Sequence, residues 1–355
     1  MLNPDDFYMQ RCLQLAKLGV GNVAPNPMVG AVLVHDGKII GEGYHQKYGE
    51  PHAEVNCINS VKEEDKNLVD KSTLYVSLEP CSHFGKTPPC TDLIIKNKIP
   101  KVVIGCKDVY KEVDGKGIKK LQDAGVEVIT CVLEKECIEL NKRFFTFHQQ
   151  QRPYIILKWA ESGDRKIETS HEPSPQVKSG QRTFISNEYS NRLVHKWRSE
   201  EAAILIGTNT ALQDDPSLTT RLWKGNNPIR LVIDMNLRLP SALKIFNKEV
   251  KTIIFNKHKN EEAGDLIFYK IEEENLIQQL VKVLYELNIQ GMIVEGGAIL
   301  LQSFIDAGLW DEARVIRNEQ LTINNGINSP ELKNMDLQKK EKYFSDTINY
   351  FYHNY

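Results

Sequence analysis

His52, Glu54, Cys81 and Cys90 are side chains that together can hold zinc and move a proton. Three protein ligands leave zinc a fourth position for water and lower that water's pKa to about 7, so hydroxide is available at neutral pH. A glutamate beside the metal that is not itself a ligand can carry the water's proton to a leaving amine. The segments read Pro51-His52-Ala53-Glu54, Glu79-Pro80-Cys81 and Pro88-Pro89-Cys90. The chemistry they suit is hydrolytic loss of ammonia from a heterocycle. Zinc base deaminases carry His-x-Glu followed by Pro-Cys-x-x-Cys; here the first half fits, and Ser82 through Pro89 stand between the cysteines. A closed structural zinc site is the alternative. It would want a fourth ligand, which His83 could supply, but it would have no use for Glu54.

Metal ligands need elements that fix their spacing. The pattern predicts a helix over 52–61 opened by His52, a strand over 73–78 leading to Cys81, and a helix over 89–98 opened by Cys90. Pro88-Pro89 suits a first helical turn, where the missing N–H had no partner in any case. Helix N-termini favour thiolate over thiol, which favours metal binding. Upstream, Phe7, Cys12, Leu15 and Leu18 recur at helical spacing behind a cap at Asp5 or Asp6. Asp36-Gly37 between apolar runs predicts a hairpin over 30–43. Downstream follow a strand over 101–106, a helix over 117–124 and a strand over 126–131. Strands alternating with helices imply an α/β layer with helices on both faces.

The segment 144–152 turns polar and is followed by Pro153, which places a domain join there and predicts domains 1–148 and 149–355. A second α/β series follows, with strands at 154–159, 203–207, 229–234, 252–255 and 292–294 and helices at 188–198 and 276–287. Residues 163–183, rich in Ser, Lys and Pro, are expected to form a loop.

A chain of 355 residues exceeds one ordinary core. Lys plus Arg (45) nearly balance Asp plus Glu (47), and no basic run stands out, which argues against a nucleic-acid surface built on bulk charge. The seven cysteines are scattered, as expected for thiols in a reducing compartment, the cytoplasm. The start, Met1-Leu2-Asn3-Pro4-Asp5-Asp6, is acidic where a signal peptide would be basic and apolar. No apolar run approaches the roughly 20 residues of a membrane span.

The second half holds no Gly-x-Gly-x-x-Gly after a strand. It does hold Val294-Glu295-Gly296-Gly297-Ala298, a strand running through two glycines into an apolar helix. Backbone N–H groups there could cradle a phosphate, although such a pair is also an ordinary turn.

Pro25-Asn26-Pro27-Met28-Val29-Gly30, His52-Ala53-Glu54 and the whole of Glu79 through Cys90 together resemble the bifunctional riboflavin-biosynthesis deaminase/reductase family. In the second half Arg152-Pro153-Tyr154 with Lys158-Trp159, Phe184-Ile185-Ser186 and Gly207 through Arg221 resemble its reductase part. The resemblance implies a cytidine-deaminase-like α/β/α zinc domain followed by a dihydrofolate-reductase-like α/β domain. It implies deamination of 2,5-diamino-6-(5-phosphoribosylamino)pyrimidin-4-one with one zinc ion, then NADPH-dependent reduction of the ribosyl group to ribityl. His52, Cys81 and Cys90 would be the zinc ligands and Glu54 the catalytic residue. Asn26, His45, His83 and Lys86 would bind the deaminase substrate. Lys158, Arg182, Arg198, Leu218, Arg221 and Glu295 would bind the reductase substrate, whose 5′-phosphate suits the planar fork of arginine. Glu161, Phe184, Thr210, Asp214, Gly296 and Gly297 would bind NADPH. A homo-oligomer acting on a small phosphorylated pyrimidine, away from membrane and nucleic acid, is the expected assembly.

Two places depart from the family's pattern. Ser162-Gly163-Asp164-Arg165 replaces Ser-x-Asp-Gly, and 314–328 lacks the usual Ala-Pro and late glycine. Two other functions stay open on the residues alone. A deaminase of nucleic acid would want aromatic and basic residues around its pocket, of which the loop after Cys81 holds Phe84 and Lys86. A non-catalytic second half would serve only as a scaffold, and NADPH binding separates it from a reductase.

Overall fold

A computed structural model of the chain describes residues 3–84, 88–169 and 185–355. The chain divides into two compact units, Met1–Gln151 and Arg152–Tyr355.

The first unit runs α1 (Pro4–Ala16), β1 (Gly30–His35), β2 (Lys38–Tyr44), α2 (Ala53–Asn59), β3 (Thr73–Leu78), α3 (Cys90–Lys96), β4 (Lys101–Cys106), α4 (Lys116–Asp123), β5 (Glu127–Ile129), α5 (Glu134–Leu140) and α6 (Lys142–Gln150). Its five strands form one sheet in the order β2-β1-β3-β4-β5. Alternate residues of a strand face opposite ways, and here both ways are apolar. Leu33, Leu74, Val76, Val102 and Ile104 pack under α2, α3 and α4. Val32, Val34, Tyr75, Val103 and Cys106 pack under α1, α5 and α6. The result is the expected α/β/α layering. The β1–β2 turn uses Asp36 and Gly37, both at positive φ, as a two-residue hairpin requires.

Three local expectations need correction. The cap of α1 is Asn3, whose side chain accepts the Asp5 N–H, so the helix starts at Pro4, earlier than a cap at Asp5 or Asp6 would allow. The polar stretch expected to join the domains is helical up to Gln150, because Phe144, Phe145 and Phe147 bury one face of α6. The strand expected over 126–131 is confined to Glu127–Ile129.

The second unit runs β6 (Tyr154–Ser162), β7 (Lys166–Thr169), α7 (Glu188–Glu200), β8 (Ala203–Gly207), α8 (Thr208–Asp214), β9 (Ile229–Ile233), β10 (Thr252–Asn256), β11 (Glu261–Ala263), β12 (Leu266–Lys270), α9 (Leu276–Glu286), β13 (Gly291–Val294), α10 (Ala298–Asp306), β14 (Glu312–Asn318), β15 (Gly326–Asn328), β16 (Met335–Tyr343) and β17 (Asp346–His353). Ten strands form one sheet, ordered β11-β12-β10-β9-β8-β13-β6-β14-β17-β16. The strands from β12 to β14 in that order are parallel, and the two edges add antiparallel strands. Ile155, Leu157, Leu205, Leu231 and Val294 face α9 and α10. Tyr154, Ile156, Ile204, Ile206 and Ile293 face α7 and α8.

Strand β7 lies within the expected 163–183 loop, and the rest of that loop from 170 onward lies outside the described residues. At the altered turn, Arg165 takes φ +59°, the left-handed conformation that a glycine would hold without cost. Asp164 anchors that turn: its carboxylate accepts the N–H groups of Ile323 and Asn324.

Candidate active sites

In the first unit His52 is the residue before α2, Cys81 follows β3, and Cys90 is the first residue of α3. Helix α2 sits close on the sheet because Gly43 has no side chain. A Cβ there would lie 2.2 Å from the Cys57 nitrogen and 2.6 Å from the Ala53 oxygen. That contact brings His52 over the ends of β3 and α3. His52 Nδ1 lies 3.6 Å from Cys81 Sγ and 3.4 Å from Cys90 Sγ. A tetrahedral zinc with its usual bond lengths would set nitrogen and sulfur about 3.6 Å apart. The residues present fit the ion.

Among the described residues the one cluster able to hold a metal is His52, Cys81 and Cys90, whose ligand atoms lie within 4.8 Å of one another. Neither His83 nor Glu54 belongs to it, so the set is the open three-ligand kind rather than the closed one. The Cys90 backbone N–H points at Cys81 Sγ at 3.4 Å. Hydrogen bonds from the Cys90 thiol, His52 and that N–H bring the Cys81 thiol down to about 4 against the cost of burial, a ready thiolate ligand. Glu54, in the first turn of α2, is 3 % exposed, and burial raises its carboxyl above the ordinary range.

His45 packs edge-on against His52, with ring centroids 5.3 Å apart. Its Nδ1 faces the Pro51 carbonyl at 3.1 Å and its Nε2 faces Asn26 Nδ2 at 3.1 Å. A carbonyl only accepts, so Nδ1 carries the proton and Nε2 accepts from Asn26. Burial lowers the His45 pKa and keeps the ring neutral. Asn26, His45 and His52 are thus joined. His83 stands with its ring 6.0 Å from that of Tyr110, and its buried Nδ1 has no partner among the described residues. Lys86 lies outside the described residues.

Glu79, two residues before Cys81, accepts the backbone N–H groups of Asp108, Gly115, Gly117 and Ile118. It ties the loop after β4 to the metal strand. That loop carries Asp108, whose carboxyl is raised to about 7 by burial, with the charges of Glu79 and Cys81 adding to the effect. Asp108 and Tyr110 escaped the sequence reading because they follow a strand with no motif of their own. The signal was the position: both follow β4, the parallel neighbour of the strand that ends before Cys81.

In the second unit strand register makes the site. Val294 pairs with Leu157 on the adjacent parallel strand, so Glu295 comes beside Lys158. Lys158 shares the face of Tyr154 and Ile156, the face that α7 covers. Lys158 Nζ lies 3.6 Å from Glu295 Oε2. Arg198 of α7 grips the same carboxylate through Nε at 2.8 Å and Nη2 at 2.7 Å. Burial pushes the Glu295 carboxyl up, but Arg198 and Lys158 override it and hold it near 2. Burial lowers the Lys158 pKa, and the charge of Arg198 adds to that.

Arg221 is exposed, and among the described residues it pairs with no carboxylate. Its Nη1 donates to Thr219 Oγ1 at 3.2 Å. Its backbone N–H donates to Nδ1 of His195 at 2.9 Å, a buried histidine one turn before Arg198. His195 also went unread in the sequence, where its spacing from Arg198 on a predicted helix was the available clue. Leu218 is buried at φ +52°, where the chain bends toward Arg221.

Thr210 of α8 meets the glycine pair: a Cβ on Gly296 or Gly297 would lie 3.5 or 3.4 Å from Thr210 Oγ1. Gly296 takes φ +143° and is joined to Gly297 by a cis peptide. No side chain caps α8 or α10, so neither helix spends a side chain on its first-turn N–H groups. Asp214 is the last residue of α8. Glu161 engages both its oxygens elsewhere, with the Trp159 indole N–H and with Arg317. Arg182 and Phe184 lie outside the described residues.

Comparison with known proteins agrees with this division. Residues 2–106 match the cytidine and deoxycytidylate deaminase zinc-binding region, and 153–318 match the RibD C-terminal domain. The riboflavin biosynthesis protein RibD of Aquifex aeolicus is 41 % identical over 95 % of this chain and 94 % of its own length. That of Escherichia coli is 35 % identical over 87 % and 86 %. Among solved structures, a diaminohydroxyphosphoribosylaminopyrimidine deaminase/5-amino-6-(5-phosphoribosylamino)uracil reductase from Thermotoga maritima superposes with a TM-score of 0.88 at 33 % identity, covering 99 % of both chains. Acinetobacter baumannii RibD gives 0.87 at 28 % identity with the same coverage. With relatives this similar along nearly its whole length, the chain belongs to the RibD family of riboflavin biosynthesis proteins.

Proposed function

We propose the substrate, cofactor and residue roles of this bifunctional deaminase and reductase. Residues 1–148 replace the 2-amino group of 2,5-diamino-6-(5-phosphoribosylamino)pyrimidin-4-one with oxygen from water, releasing ammonia. Residues 149–355 then reduce the ribosyl group to ribityl, using NADPH. The observation that carries this is the triangle of His52, Cys81 and Cys90 with a buried non-ligand glutamate beside it, on one chain with a cation-held Glu295 followed by a glycine pair against Thr210.

His52, Cys81 and Cys90 would hold zinc, which would make a hydroxide nucleophile available at neutral pH. Glu54 would take a proton from the water and give it to the departing amine; a raised carboxyl pKa suits a group that must both accept and donate. Asn26 and the neutral His45 hold a ring edge, and His83 and Lys86 are assigned as further substrate contacts.

When bound, NADPH would supply a hydride to the sugar C1′ in its open, imine-like form. Thr210, Gly296 and Gly297 are assigned to its phosphates, and Phe184, Asp214 and Glu161 as further contacts, Glu161 while still holding Trp159 and Arg317. Lys158 and Glu295 face the sugar, where a weakened ammonium donates and a carboxylate accepts. Arg198 is committed to Glu295, which makes Arg221 the cation for the 5′-phosphate; Arg182 and Leu218 are assigned as further substrate contacts. All seven cysteines are free, in keeping with a cytoplasmic setting. No helix among the described residues is long and apolar enough to cross a membrane, and a homo-oligomer is the assembly we assign.

The test is NADPH oxidation by the zinc-loaded protein given the diaminopyrimidine, with product mass recorded and NADH run beside it. Replacement of the amino group by oxygen together with gain of two hydrogens supports both halves. Deamination without NADPH oxidation removes the reductase assignment.

A further inference from the structure

The loop that carries Arg221 is tied down from one side of α7. Arg198 Nη1 reaches the Thr219 carbonyl at 3.4 Å, and Nδ1 of His195, one turn earlier, receives the Arg221 N–H at 2.9 Å. The far side is closed by Asn227, whose side chain accepts the Thr220 N–H at 2.8 Å. His195 is 6 % exposed and Thr219 is 3 % exposed, whereas the Arg221 side chain reaches solvent. The backbone of residue 221 is therefore pinned while its guanidinium is left available.

An imidazole accepts at Nδ1 only when that nitrogen carries no proton, so His195 works as a neutral ring. Its surroundings enforce this. Burial holds it down to about 4, and the nearby charges of Arg198 and Arg221 push the same way. A lysine or arginine at position 195 could not accept this N–H, and an aliphatic side chain would leave a part-buried N–H without this partner.

We propose that His195 is a positioning residue for the phosphate end of the reductase substrate, acting through Arg221 by holding that residue's backbone in place. The inference rests on the assignment of Arg221 to the 5′-phosphate. His195 touches neither reacting atom in this scheme, so its effect belongs in substrate affinity and not in turnover.

The experiment compares His195→Leu, His195→Asn, Arg221→Ala and the His195→Leu/Arg221→Ala pair in the full-length zinc-loaded protein. Asparagine is the conservative variant, because its side-chain oxygen stands where Nδ1 stood. Substrates are the deaminated pyrimidine with and without its 5′-phosphate. Loss of one part-buried hydrogen bond that orients a charged group should raise KM for the phosphorylated substrate by about tenfold. The value of kcat, KM for NADPH and the rate on the dephosphorylated substrate should stay within about twofold, and His195→Asn should recover most of the loss. Calorimetric titration with ribose 5-phosphate reads the same contact without turnover. If His195 acts through Arg221, the double variant binds no more weakly than Arg221→Ala alone.

An additive double variant overturns the proposal. So does a loss shared equally by both substrates, or a fall in kcat at unchanged KM. A wild-type protein that neither oxidises NADPH nor binds ribose 5-phosphate counts against the reductase assignment itself. A wild type that does both while His195→Leu matches it counts against the role of His195 alone. Melting temperature and zinc-dependent deamination of each variant report whether it folds, and His195→Asn keeps the test decisive if the leucine variant does not.

Discussion

Arg198 holds Glu295 by two parallel hydrogen bonds, from Nε at 2.8 Å and Nη2 at 2.7 Å, on a carboxylate that also faces Lys158. Three largely but not fully buried charges make one unit, and a forked pair of this kind orients its carboxylate as well as neutralising it. This relationship separates two arginines that look alike in the sequence. Arg198 orients Glu295, and Arg221, exposed on its loop, is the one proposed above for the substrate phosphate.

Removing the carboxylate should be costly because it strands two buried cations. Glu295→Ala should destabilise the second unit by about 3–5 kcal/mol and abolish NADPH oxidation, read by thermal melting and by absorbance at the nicotinamide band. The pH dependence follows from the direction of the shift. Glu295 titrates near 2 in the fold against an ordinary 4.5, so its pairing contributes in full above pH 4.5 and is lost as pH falls through about 2. Glu295→Gln should flatten the wild-type loss of stability across that window. An unchanged acid profile would show that the carboxylate is not held as the geometry indicates.

Glu54→Gln keeps the size of the side chain and removes its proton chemistry. Deamination should fall by at least about a hundredfold, with one zinc per chain retained by metal analysis and reduction of the deaminated substrate intact. A variant that deaminates normally takes Glu54 out of the mechanism. Stripping the zinc with a chelator should stop the same half and spare the other.

Arg165 holds a backbone conformation that suits glycine, with its φ at +59°. Arg165→Gly should therefore stabilise the protein by about 0.5–1 kcal/mol, the left-handed penalty less the entropy that glycine adds to the unfolded chain. A melting temperature higher by a few degrees would agree. A lower one would mean that the Arg165 side chain makes up the difference.

Gly297→Ala places a methyl group 3.4 Å from Thr210 Oγ1, a contact the fold can bear. The methyl stands in the cradle assigned to the cofactor phosphates, so KM for NADPH should rise by about tenfold, the equivalent of one lost hydrogen bond. Deamination should be unaffected. Equal NADPH affinity in the two proteins would move the cofactor away from the glycine pair.

Much of the molecule could be read without coordinates because its signals are local. His52, Glu54, Cys81 and Cys90 announce metal chemistry by type and flanking residues, Asp36-Gly37 announces a hairpin, and short apolar runs announce strands buried on both faces. Such features depend on a few neighbouring residues, and so survive in one dimension. Helix α6 and the shortness of β5 were not legible because burial of three phenylalanines and the neighbouring strand decided them, not local composition. Long-range placement was illegible for the same reason. Only the parallel register of β13 on β6 sets Glu295 beside Lys158, and only the packing of α7 brings His195 to the backbone of Arg221. Asp108 acquires its raised pKa from burial beside Glu79 and Cys81, a property of an enclosure and not of a residue. The sequence by itself determined which chemical groups the protein owns; the tertiary structure decided which charges are already paired, and hence which are left to meet a substrate.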